Sequence, residues 1–343
     1  MATFSSMVPS TLVVVKTFSA GTEGLGYTFA DAATAGLVSE VLAGQIRGLS
    51  PLDVPLVWNR MVRSVRNLGR SGIASMAIAA VDMSVWDLKA KLLGVSVLDL
   101  LGAARHRIAA YGSGGFTSYP IDRLQEQLGA WAASGLSAVK MKIGREPDKD
   151  LERVRAARAA IGARAELFVD ANGAYERKQA LRMALAFEAH GVTWFEEPVS
   201  SDDLEGLRFV RERAPMRITA GEYGYDSRYF KTMLAAGAVD VLQVDGTRCA
   251  GVTGFLAAAT LCDAFSTPLS AHTAPTLHAY LCCAAKPACN VEFFFDHARI
   301  EQLCFDGALR PRQGFLVPNR SKPGFGLVFR EAEARTLARR SAA

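Results

Sequence analysis

The sequence predicts a (β/α)8-type barrel preceded by an α+β unit, and three observations carry that reading. From about Arg107 onward, short apolar strand signals alternate with helical ones in the rhythm and length of a closed parallel barrel. Before that point strands are followed by helices without alternation, the pattern of an α+β unit. No glycine-rich dinucleotide fingerprint follows any strand, which counts against an open doubly wound sheet.

Taken in order, Leu12 to Val15 reads as a strand, Gly21 to Gly26 as a turn region and Ala30 to Gly44 as a helix. Apolar residues at helical spacing run from Ser71 to Leu93 and stop near Gly94, with Asp82 and Asp87 along the way. Lone helix carboxylates are more often caps or ion-pair partners than catalysts, so these two are read as structural. The barrel strands are expected at Ile108 to Gly112, Ala138 to Ile143, Glu166 to Ala171, Thr193 to Glu196, Arg217 to Ala220, Val239 to Val244, Pro268 to Ala271 and Asn290 to Phe294. Helices such as Ile121 to Ser134 and Arg177 to His190 would form the outer ring. The tail from Gly314, with its Pro/Gly-rich stretch Pro318 to Gly326, is expected to leave the barrel.

Composition narrows the function classes. Half of the 343 residues are hydrophobic and 21% are charged, the balance of a soluble globular chain. The formal charge of +5 is modest and its arginines are spread along helical segments, which argues against a nucleic-acid partner. No uncharged apolar stretch is long enough for a bilayer, and Met1 to Lys16 lacks a basic start and a signal-length apolar run, so no membrane partner is expected. The six cysteines form no CxxC pair and read as core thiols in a reducing cytoplasm.

In a parallel barrel the active site gathers at the carboxyl ends of the strands. Those ends supply Lys140 and Lys142, then Asp170, Glu196, Glu222, Asp245, His272 and Glu292, one polar position per βα unit. Singly, a carboxylate ending a strand is more often a helix cap or a surface ion pair. Asp170, Glu196 and Glu222 come from successive strands, and three converging carboxylates repel unless a cation neutralises them; oxygen-only ligands suit Mg2+. Glu197 follows Glu196 directly, and strand alternation sends it to the other face as a structural residue.

Lys140 and Lys142, two apart, leave their strand on the same side while Met141 faces the other way. Two close ammonium groups lower each other's pKa, which would let Lys142 act as a base; the plain alternative is two lysines at a solvated strand end. Asp245 and His272 end neighbouring strands, a placement that would fix the imidazole tautomer and raise its basicity. The other histidines (His106, His190, His278, His297) lack such placement. His272 would face Lys142 across the barrel, leaving room for a substrate between two bases.

The segments VKMKIG, FVDAN, WFEEP, TAGE, LQVDGTRCAGVTG, SAHTAP and VEFF, in this order across roughly residues 70 to 330, resemble the mandelate racemase branch of the enolase superfamily. The resemblance implies a (β/α)7β TIM-type barrel with an α+β N-terminal capping domain: residues 1–105 as the cap, 106–312 as the barrel and 313–343 as a segment returning to the cap. It implies Mg2+ on Asp170, Glu196 and Glu222, chelating a small carboxylate substrate and stabilising the enediolate left when the α-proton departs. Lys142 would be one acid/base catalyst, with Lys140 neutralising carboxylate charge and lowering the Lys142 pKa. His272, oriented by Asp245, would be the other. Glu292 would donate a hydrogen bond to the substrate carboxylate, so it should be protonated. Asn172 would reach the substrate or cap its loop.

The chain is expected to enter the cap late, at Ser10 to Lys16, with its first strand and loop shortened and the pocket correspondingly open. Three functions follow as expectations: dehydration of an acid sugar to a 2-keto-3-deoxy acid, racemisation or epimerisation of a 2-hydroxy acid, and ligand binding by a decayed, noncatalytic paralogue. A cycloisomerase is disfavoured, because members of that branch tend to carry lysine where Asp245 stands. The family also implies a homo-oligomer.

Overall fold

The computed structural model describes residues 11–341. Strands β1 (Thr11–Ser19) and β2 (Thr22–Ala30) form an antiparallel hairpin. Its two-residue turn uses Ala20 and Gly21, both at positive φ (47° and 74°), as the right-handed strand twist demands. The expected turn region at Gly21 to Gly26 is therefore mostly strand. Glycines at 24 and 26 mimic a turn in the sequence, but they are there for close packing: a Cβ on Gly26 would lie 2.2 Å from the Ala80 carbonyl oxygen and 2.5 Å from the Ser84 nitrogen. Gly26→Ala should thus cost about 3 kcal/mol, the upper end of overpacking penalties, because backbone atoms are what it strikes. A urea midpoint matching the wild type would refute this.

After the hairpin come α1 (Ala32–Leu37), a π-helical turn (Val38–Leu42), α2 (Ala43–Ile46), α3 (Val54–Ser64), α4 (Ile73–Leu92) and α5 (Val97–Leu101). The helix expected from Ala30 is real, but it carries the π turn in its middle. α4 is apolar nearly all round, and accordingly it is buried between the hairpin, α3 and the barrel. Asp82 and Asp87 are structural, as expected. Asp82 accepts from the Thr253 backbone N–H (3.0 Å) and hydroxyl (2.7 Å), while Asp87 pairs with Lys91 (2.7 Å) and accepts from the backbones of Leu25 and Phe325.

Eight parallel strands then close into a barrel: β3 (Ile108–Gly114), β4 (Ala138–Lys142), β5 (Glu166–Asp170), β6 (Val192–Glu196), β7 (Arg217–Ala220), β8 (Val241–Val244), β9 (Leu269–Ala271) and β10 (Ala288–Phe294). Pairing of β10 with β3 shuts the ring. Between them run α6 (Ile121–Ala133), α7 (Pro147–Ile161), α8 (Arg177–Glu188), α9 (Leu204–Arg211), α10 (Ser227–Ala235), α11 (Gly251–Ala264) and α12 (Pro275–Ala284), so the architecture is (β/α)7β with an N-terminal α+β cap. Outward strand residues such as Met141, Val169 and Phe195 join the large core against these helices, whereas Tyr111, Phe168 and Trp194 fill the lower barrel interior.

The chain continues through α13 (Phe295–Cys304), β11 (Phe305–Asp306), β12 (Phe315–Leu316), β13 (Val328–Phe329) and α14 (Glu331–Ser341). β12 pairs antiparallel with β3, after which the chain crosses to the cap, where Gly324 accepts from the Val97 N–H (2.9 Å). All six cysteines are free, and all but the half-buried Cys289 are buried. No helix among the described residues is long and apolar enough to cross a membrane. The shortened start expected for the cap falls on residues 1–10, outside the described residues.

Candidate active site

Parallel register brings the strand ends to one rim. Lys142 stands beside Asp170, and Asp170 beside Glu196. One ligand atom each from Asp170, Glu196 and Glu222 lies within 4.8 Å of the others, and all three residues are buried. Glu196 is fixed from below: its Oε2 accepts from Gln243 Nε2 (2.7 Å) and Trp194 Nε1 (3.1 Å). Glu222 Oε2, also buried, has no hydrogen-bond partner among the described residues. Three carboxylates with an unsatisfied oxygen among them form a hard, all-oxygen donor set, and Mg2+ fits it. Burial, followed by the charge of Asp170, pushes Glu196 well above the ordinary carboxylate range, the repulsion that a cation would relieve.

Lys140 is fully buried and donates to Glu196, with Glu292 at 2.8 Å and Asp170 at 3.4 Å. Burial acts to lower its pKa, but Glu196 and Glu292 outweigh it and hold the ammonium charged. Lys142 leaves the strand on the same side, as expected, and donates to Asp170. Its pKa departs from expectation. Burial and Lys140 both lower it, but Asp170 lifts it above the usual lysine value. Considering the two lysines alone left out the carboxylate that each touches.

Opposite, His272 Nδ1 lies 2.8 Å from Asp245 Oδ2, and its Nε2 is 3.3 Å from Glu222. Asp245 is itself held by the backbone N–H and hydroxyl of Thr247, both 2.7 Å from Oδ1. Burial raises the Asp245 pKa, but the His272 contact more than reverses it, leaving the carboxyl below its ordinary range. The cap reaches this loop directly: Thr28 Oγ1 donates to the Thr247 carbonyl (2.8 Å) and Trp58 Nε1 to the Ala250 carbonyl (3.0 Å).

Glu292 requires a correction. It was expected to be protonated and to donate, yet it pairs with Lys140 and accepts from the Thr273 N–H (3.0 Å). Burial pushes its pKa up, but Lys140 and His272 bring it down to about 2, so in this arrangement it is an acceptor. Glu197 is a second correction. Its φ of 40° breaks strand alternation, and its buried carboxyl is raised to about 9 by burial and then by Glu222 and Asp170. It therefore sits near the cluster instead of on the far face. Asn172, also left-handed (φ 44°), is exposed; its backbone N–H donates to Asp170 Oδ1 (2.8 Å), and it borders a depression of about 330 Å³ shared with Lys142. Non-glycine residues in this conformation cluster on the rim, with Ala250, Thr273 and Ala274, as strained backbone does at functional sites.

Sequence reasoning overlooked Arg248, Trp194 and Gln243, and it set His278 and His297 aside because neither ends a strand. Arg248 follows Asp245 by three residues and approaches Glu222, a placement the spacing alone could have raised. His278 accepts from the Gly246 N–H (2.8 Å), and His297 borders a cavity beside Arg248, so both support the site without ending a strand.

Comparison with known proteins agrees with this architecture. Residues 1–102 match the mandelate racemase / muconate lactonizing enzyme N-terminal domain, and residues 123–333 match the enolase C-terminal domain-like family. The chain belongs to the mandelate racemase/muconate lactonizing enzyme family. It is 30% identical to the L-talarate/galactarate dehydratase of Salmonella typhimurium over 90% of this chain and 78% of that one. A mandelate racemase/muconate lactonizing enzyme-like protein from Rubrobacter xylanophilus superposes with a TM-score of 0.93 at 50% identity, covering 95% of this family member and 91% of the other. The L-talarate dehydratase of a Polaromonas species, solved with Mg and L-glucarate, superposes at 0.86 with 30% identity, over 94% and 91% of the two chains.

Proposed function

We propose that the protein removes the proton α to the carboxylate of an acid sugar and expels the β-hydroxyl, giving a 2-keto-3-deoxy acid and water. The observation that carries this reading is the carboxylate trio Asp170, Glu196 and Glu222 flanked by Lys142 on one side and the His272–Asp245 pair on the other. When bound, Mg2+ would hold the substrate carboxylate, stabilise the charge released with the α-proton and take up the Asp170 charge that otherwise keeps Lys142 protonated.

The chain's own groups then divide the work. Lys142 Nζ takes the α-proton. His272 Nε2, its ring fixed through Nδ1 by Asp245, gives a proton to the departing β-oxygen, which leaves as water. Lys140 and Glu292 position the carboxylate end, Lys140 through its charge and Glu292 by holding Lys140 in place. Asn172 borders the approach to Lys142.

The same two bases would also support racemisation if no β-hydroxyl is present. Incubating the Mg2+-loaded protein with acid sugars in D2O separates the outcomes by NMR. A 2-keto-3-deoxy product supports dehydration. Deuterium at the α-carbon with an unchanged formula means racemisation or epimerisation, and no exchange across a broad library would leave a ligand-binding paralogue. Dispersed arginines, many of them ion-paired, favour a small anionic substrate over a nucleic-acid partner. The buried free thiols fit a reducing cytoplasm. We further infer a homo-oligomer from the family, and we take residues 1–105, 106–312 and 313–343 as cap, barrel and returning segment.

A further inference from the structure

We propose that Asp82 and Glu301 are positioning residues for the proton-transfer pair: each caps, from outside, a helix that cannot cap itself, and so fixes the loop that carries Asp245 or His272. This rests on the His272 role proposed above and deepens it. β8 ends at Val244, Asp245 follows, and the loop runs into α11; β9 ends at Ala271, His272 follows, and the chain turns into α12.

The two helices share a defect at their start. Ala250 precedes α11 (φ 67°, ψ 36°) and Ala274 precedes α12 (φ 37°, ψ 56°), both left-handed and both without a side-chain oxygen to accept from the first turn. Helix N-termini ordinarily take that acceptor from Ser, Thr, Asp or Asn at the capping position. Left-handed alanine adds strain that surrounding contacts must hold.

Two carboxylates from other elements fill the gap. Asp82 of α4 accepts from the backbone N–H of Thr253 (3.0 Å), the third residue of α11, and from its hydroxyl (2.7 Å). Its Oδ2 presses so close to Gly251 (φ 89°) that a Cβ there would lie 2.3 Å away. Glu301 of α13 accepts from the backbone N–H (3.1 Å) and hydroxyl (2.6 Å) of Thr276, the second residue of α12, and its other oxygen accepts from the Tyr27 hydroxyl of the cap hairpin (2.6 Å). Both carboxyls are 1% exposed, burial raises both to about 7, and neither pairs with a cation among the described residues. A carboxyl buried without a counter-charge weakens a fold, so packing alone does not account for these two. An apolar side chain would fill either space, but it would leave the first turn of the helix without its acceptor and the loop before it free to relax.

The test reads His272 directly. The proton between its Nδ1 and Asp245 should give a downfield NMR resonance in the substrate-free protein, identified by its loss in His272→Asn. Asp82→Ala and Glu301→Ala should shift or broaden that resonance and lower turnover of an acid sugar by about tenfold or more, while KM and Mg2+ affinity change by less than about threefold. Asp82→Asn and Glu301→Gln, which keep an acceptor for the helix N–H, should restore both signals. Asp87→Ala strips an equally buried carboxyl from the same helix without touching either loop; it should lower thermal stability and leave resonance and turnover in place. Should an alanine variant fail to fold, Thr253→Val and Thr276→Val, which remove only the hydroxyl each carboxylate accepts from, take its place and should move both signals in the same direction. An unmoved resonance with unchanged turnover, or losses matched by Asp87→Ala, overturns the proposal. A shifted resonance in a protein that dehydrates no acid supports the positioning roles and overturns only the dehydration reading. Dehydration that persists with resonance and rate untouched in the variants does the reverse.

Discussion

Lys142→Ala is expected to lower turnover by about 10³-fold or more, the loss that follows from removing a positioned proton acceptor. The substitution removes a cation from beside Asp170, so the carboxylate trio becomes more negative and its affinity for Mg2+ should not fall. His272→Asn should be similarly inactive with metal binding retained, because its ring touches the trio only at 3.3 Å through Glu222. Turnover and calorimetric metal titration together decide the point. Residual activity near wild type would exclude the base role, and loss of metal in either variant would show that the ligand set is misassigned.

Glu222→Gln carries the second large effect. Gln keeps the shape and can still accept from Arg248, but it removes one of three anionic ligands from a buried site. Mg2+ affinity should fall by about a hundredfold or more, since even outer groups that only orient ligands are worth about 10–100-fold. Calorimetry at fixed pH measures this directly. Unaltered affinity would remove the three-carboxylate centre, and with it the chemistry assigned to the rim.

The strands of the barrel could be read from sequence because each is a short apolar run closed by a polar residue, and the barrel's own geometry places those polar residues together. Asp170, Glu196, Glu222, Asp245 and His272 were all legible for that reason. Residues whose position depends on packing between elements were not. Gly24 and Gly26 look like a turn until α4 is seen pressing its backbone against them. Glu197 obeys alternation on paper, but a left-handed φ turns it back toward Glu222. The charge states of Lys142 and Glu292 depend on which neighbours the fold supplies, Asp170 and Lys140, and no spacing rule contains those distances. Arg248 follows β8 and His297 lies in α13, and only the fold brings the two to the wall of one cavity.

The loop that orients His272 accepts hydrogen bonds from Thr28 and Trp58, and Thr253 of the helix that follows donates to Asp82, all three partners lying on the cap. Neither lobe can therefore be exchanged freely for that of a cousin. A transplanted cap would have to reproduce those three donors and acceptors before the acceptor barrel regained an ordered imidazole, whatever specificity the new lobe brought. Divergence in this chain is thereby channelled toward surfaces that face ligand and away from the seam between its halves.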